Sequence, residues 1–89
     1  MKAIVTVVGK DRVGIIAEVC TQLAKYQVNI LDISQTVMQG YFTMMMAVDT
    51  AKSEIPFAEL AKKLDAKGEE MGMSIRLQRE DIFEAMHRV

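Results

Sequence analysis

Three observations predict an α+β fold with a four-stranded antiparallel sheet and both helices on one face. Strand-like apolar runs occur four times, two runs with helical spacing separate them, and Gln39-Gly40 joins the middle two strands directly. The resulting order, β-α-β-β-α-β, is the split βαβ arrangement, here followed by a short C-terminal helix.

The first strand covers about residues 2–9. Its apolar residues alternate over both faces, Ala3, Val5 and Val7 against Ile4, Thr6 and Val8, which is the pattern of a central strand. The first helix is expected from about 13 to 27, with Ile16, Val19, Cys20 and Leu23 inward and Glu18, Gln22 and Lys25 outward. Asn29 tolerates the left-handed conformation and suits the exit from that helix. In the second strand, Ile30 to about Met38, Ile30 and Ile33 differ in parity, so sharing a face requires a bulge near Leu31-Asp32. After the tight turn, the third strand, Tyr41 to Asp49, places Phe42, Met44, Met46 and Val48 inward. Consecutive methionines on a strand point to opposite sides, so Met44-Met45-Met46 reads as core and sheet face rather than a metal site.

Ser53 is the expected N-cap of a second helix with Pro56 in its first turn. Phe57, Leu60, Ala61, Leu64 and Met71 form its inner face; Glu59 and Lys63 give an i,i+4 pair outside, and Gly68 and Gly72 mark a fraying end. The fourth strand, about 73–79, alternates Met73, Ile75 and Leu77 inward with Ser74, Arg76 and Gln78 outward. The sequence then divides into a domain over 1–80 and a helical extension over 81–89, capped by Asp81. Ile82, Phe83 and Met86 are too apolar to leave in water, so this extension should dock on the sheet's open face or edge, or on a second subunit.

With 89 residues there is room for one small domain that hides about 60–65% of its unfolded surface. A hydrophobic content of 51% and mean hydropathy of +0.13 are rich for that size and point to cover from another chain. The net charge of −1 supplies no basic field for nucleic acid or an anionic membrane. No apolar run reaches the length of a membrane span and no signal peptide is evident, so a cytoplasmic location is expected. Cys20 is alone, which excludes an internal disulfide and a Cys-x-x-Cys pair; His87 is the single histidine, and neither a metal nor a cofactor is expected.

The stretch Gly9-Lys10-Asp11-Arg12-Val13-Gly14 stands out as a binding loop between strand and helix. Glycine lets the backbone approach a partner closely, and the helix's first N–H groups favour a carboxylate or phosphate. The plainer reading is that Asp11 or Arg12 caps the helix and the loop only connects.

From Val7 to Val19, and again over Val28-Asn29-Ile30-Leu31-Asp32-Ile33, the sequence resembles the ACT domain, a ligand-sensing regulatory module of the ferredoxin-like fold class. The resemblance spans nearly the whole chain and is closest to small stand-alone ACT proteins and the ACT repeats of the glycine-cleavage regulator. The Asp-Arg-x-Gly loop and the Asn-Ile after the first helix carry it most specifically. It implies amino-acid binding between two ACT domains, with Asp11, Val13 and Gly14 of one loop facing Asn29, Ile30 and Leu31 of the neighbour. Arg12 completes the loop, and Asp11 would repel a ligand carboxylate unless it pairs with Arg12 or with the ligand's ammonium group. Many ACT loops carry Pro where this one has Val13, and some amino-acid sensors are uncharged at the position of Asp11.

A non-enzymatic homodimer that binds a small metabolite and acts on a regulated enzyme or transcription regulator follows from this resemblance. A protein-interaction module without ligand is the alternative. Acylphosphatases share the fold class and would cast Arg12 and Asn29 as phosphate-holding residues, but Asp11 and the short loop fit that reading poorly. Gln39-Gly40-Tyr41-Phe42-Thr43 faintly echoes RNA-recognition modules, yet the stacking aromatics are missing.

Overall fold

The structure is a computed structural model and describes residues 1–81. Its elements are β1 (Lys2–Lys10), α1 (Ile15–Lys25), β2 (Asn29–Met38), β3 (Tyr41–Asp49), α2 (Phe57–Met71) and β4 (Ser74–Arg79). The strands form one antiparallel sheet in the order β2-β3-β1-β4. This is the ferredoxin-like βαββαβ arrangement that the order of elements predicts. β1 is central, paired along its length with β3 and along most of it with β4.

The alternation read from the sequence sorts residues onto the faces as expected. Ala3, Val5 and Val7 of β1, Phe42 to Val48 at alternate positions of β3, and Ile75 and Leu77 of β4 are buried with Ile15, Val19 and Leu23 of α1 and Leu60 and Leu64 of α2. Each such aliphatic side chain contributes about 1.5–3 kcal/mol by leaving water. The β2–β3 hairpin closes through Gln39 at φ 52° and Gly40 at φ 80°, the positive pair that matches the twist of the flanking strands. The pairing of β2 with β3 shifts between Ile30 and Asp32, so Leu31 is the bulged residue and Ile30 and Ile33 share the helix-facing side.

The helix ends differ from expectation. α1 starts at Ile15, not 13, because Gly14 at φ 92° is its N-cap, and neither Asp11 nor Arg12 caps it. Its buried stripe is Ile15, Val19 and Leu23; Ile16, expected inside, is 36% exposed one step around the helix. The exit uses Gln27 at φ 60°, with Gln27 N–H donating to Ala24 O at 3.0 Å and Val28 N–H to Leu23 O at 3.0 Å, while Asn29 is already in β2. This double closure is a Schellman motif with Gln27 at the left-handed position.

α2 starts at Phe57 behind Pro56, not behind Ser53. A start at Ser53 would force Ile55, which precedes a proline, into helical geometry that the proline ring disfavours. Ser53 donates its backbone N–H to Thr50 O, and its buried Oγ has no hydrogen-bond partner. Gly68 belongs to the buried face rather than to a fraying end: a Cβ there would lie 2.7 Å from Met73 O, so glycine is what lets α2 settle against the start of β4. Gly72 at φ 72° then closes α2. On its outer side the ion pair found is Lys67–Glu70 at 3.5 Å rather than the expected Glu59–Lys63. β4 begins at Ser74, with Met73 buried just before it. The extension from Ile82 onward, with Phe83, Met86 and His87, lies outside the described residues.

Candidate functional site at the β1–α1 loop and strand β2

Beyond Lys10 the chain turns, and Asp11 donates its N–H to Gly40 O at 2.8 Å, tying the loop to the hairpin turn. Arg12 is committed locally: its guanidinium lies 2.7 Å from Glu18 Oε2 and donates to Val13 O at 3.2 Å. The carboxylate of Asp11 has no such partner among the ion pairs of the described residues. No side chain caps α1, so the amides at its start stay available, while Glu18 N–H reaches back to Gly14 O at 3.0 Å.

Asp11, Arg12 and Gly14 line an open cleft of about 570 Å³ together with Ile16, Gln35 and Val37, floored by Phe42. Val13 points away from the protein and is 96% exposed. The other nominated residues lie elsewhere. Asn29 borders a separate cleft of about 390 Å³ with Gln27, Asp49 and Lys52; Ile30 is half-buried and Leu31 is 48% exposed at the bulge. Asn29 pairs with Asp49 at one end of β3, whereas the loop follows Lys10, which pairs with Tyr41 at the other. The two ends of β3 are about 27 Å apart at the usual rise per residue. Within one protomer, then, the loop residues and Asn29 do not meet, and Arg12 and Asn29 cannot hold one phosphate as the acylphosphatase comparison would require.

Near Asn29, the Asp49 carboxylate accepts the Ala51 N–H at 3.0 Å and faces the terminal ammonium of Met1 at 3.4 Å. The hydrogen bond from Ala51, with help from that ammonium, holds Asp49 below the usual carboxylate pKa.

β2 separates the two clefts. It is an edge strand paired only with β3, and every residue from Leu31 to Met38 is exposed. Ile33 and Val37 sit on its helix-facing side yet are 41% and 54% exposed, because the helices stop short of this edge. Ile16, Gln35, Val37 and Phe42 were not foreseen as cleft residues. Their signal was the parity of β2 and β3 after the bulge, which puts Gln35 and Val37 on the α1 side. Among the described residues no group of three His, Cys, Asp or Glu side chains gathers as a metal site. No described helix is long and apolar enough to cross a membrane.

A small ferredoxin-like α+β module, with an open cleft between its first loop and an exposed edge strand, is the class of protein that these elements define. The model of the ACT domain matches residues 2–78, and the chain belongs to that family. It is 55% identical over 89 residues to a UPF0237 protein of Clostridium acetobutylicum, covering both chains in full. Among solved structures it is similar to an ACT domain protein from Streptococcus pneumoniae, with 46% identity, a TM-score of 0.83 and 98% of each chain covered. A putative glycine cleavage system transcriptional repressor shares the fold at 22% identity and a TM-score of 0.74, over 86% of this chain and 44% of that one.

Proposed function

We propose that this ACT domain is a non-catalytic regulatory homodimer that binds an α-amino acid where the β1–α1 loop of one protomer meets the start of β2 of the other. The observation that carries the reading is β2: ten residues long, unpaired along one edge and apolar on a side that no helix covers. Edge strands of this kind are templates for pairing with another chain. A partner that contributes its own β2 also supplies Asn29, Ile30 and Leu31, which no single protomer brings near Asp11 and Gly14. The loop is suited to a zwitterion. Free amides at the start of α1 attract a carboxylate, and the unpaired Asp11 attracts an ammonium, while Arg12 is neutralised by Glu18.

Residues 1–80 form the binding unit in this reading, which operates in the cytoplasm. The bound state is read out by an enzyme or transcription regulator, and the ligand shifts that contact only if it binds one state better than the other.

A thermal-shift screen of the purified protein against the twenty amino acids, with mass measured in parallel, tests it. A cognate ligand at about 100 times its dissociation constant adds about 2.7 kcal/mol, and Asp11→Asn and Asn29→Ala each abolish the shift. A dimer that responds to no amino acid would leave an interaction module without ligand. A mass that stays monomeric at all concentrations would remove the interface site.

A further inference from the structure

The cleft beside the β1–α1 loop has two kinds of wall. Asp11, Arg12 and the backbone of Gly14 make one part of it polar. The rest is apolar: Ile16 of α1 and Val37 of β2 are 36% and 54% exposed, and Ile15 and Phe42 behind them are buried. Gln35 is the polar side chain of that part, and it carries no charge. Sites for small molecules have this make-up, a mainly apolar lining with a few placed polar groups, and a volume of about 570 Å³ lies within their usual range of roughly 300–1,000 Å³. Pairing with a second chain along β2 would use that strand's open edge, whereas Ile16 stands on a helix and not on the edge.

The charges of the cleft narrow what it can take. Arg12 is committed to Glu18 at 2.7 Å, so among the described residues of the lining Asp11 alone carries a charge without an opposite partner. On the amino-acid reading above, on which this inference rests, the ligand's ammonium takes Asp11 and its carboxylate takes the amides at the start of α1. A second carboxylate on the ligand would then meet no free cation in the cleft and would be repelled by Asp11. A side-chain ammonium or guanidinium would meet no free carboxylate, and an ion taken out of water without a partner is costly. An apolar side chain laid against Ile16 and Val37 removes exposed apolar surface from water on both sides of the contact. We propose that the ligand is an amino acid with an uncharged, apolar side chain, and that Ile16 and Val37 set this specificity.

The test is isothermal titration of the full chain with each of the twenty amino acids. The tightest binder should be one with an apolar side chain, held at least about tenfold more tightly than glycine, with glutamate and lysine weaker than either. Ile16→Ser, and separately Val37→Thr, should narrow the gap between that amino acid and glycine several-fold. Glycine, or an amino acid with a polar or charged side chain, as the tightest binder would overturn this inference and leave amino-acid binding at the loop standing. So would a gap that neither substitution narrows. Binding of none of the twenty would overturn the amino-acid reading and this inference together.

Discussion

β2 and β3 lie side by side with the same alternation and opposite fates. On the helix-facing side of β3, Met44, Met46 and Val48 are wholly buried; their partners across the ladder, Gln35, Ile33 and Ile30, range from half-buried to exposed. Parity decides which face a side chain occupies, but only the reach of the helices decides whether anything covers it. Two neighbouring strands therefore divide into core and exposed edge, although beyond the Leu31 bulge their patterns match.

That division is open to test by substitution. Leu23→Ala, in the covered half, should cost about 2–5 kcal/mol through lost burial and a cavity, read as a fall in the denaturation midpoint. Gly68→Ala should be the next largest loss, about 1–3 kcal/mol from overpacking. Its sign is informative, because alanine normally stabilises a helix interior relative to glycine; here the added Cβ would lie 2.7 Å from Met73 O. Stabilisation by Gly68→Ala would show that α2 and β4 are less closely seated. Ile33→Lys, in the uncovered half, should change fold stability by less than about 0.5 kcal/mol and yet convert the proposed dimer to monomer in sedimentation. A large loss of stability in the monomer would mean that β2 is core after all.

The smallest effect concerns the rim between the two regions. Asp49 has a folded pKa below its unfolded value, so its contribution is present above the ordinary carboxylate pKa and is lost as the pH falls through the lowered one. Asp49→Asn should therefore flatten the stability profile below about pH 4 and leave the slope near neutrality unchanged.

Much of the fold was legible because period-two signals in a small sheet are strong. The odd spacing of Ile30 and Ile33 located the Leu31 bulge, and Gln39-Gly40 located the hairpin. Helix ends were less legible, since local preference competes with geometry set by neighbours. Ser53 has the chemistry of a cap but Pro56 dictates the start, and Gln27 rather than Asn29 takes the left-handed position. Gly68 looked like a helix breaker because its reason for being glycine is the backbone of a strand that follows it. For the candidate site, the motif named residues but not their separation. Asp11 and Asn29 are eighteen positions apart in sequence and close in no single protomer, because α1 and the length of the sheet intervene.

The strand order also sets a timetable for folding. β2 and β3 meet through a two-residue turn, so that hairpin can form from a local segment alone. β1 occupies the centre of the sheet, yet its contact from Ala3 to Arg79 closes a loop spanning almost the whole domain. A ribosome that has released β1, α1 and the hairpin still holds back β4, so the apolar underside of β1 waits for the last strand before its packing is complete. Synthesis of this small domain thus leaves its central strand half-paired until Arg79 emerges, a period in which the chain relies on α1 and β3 for cover.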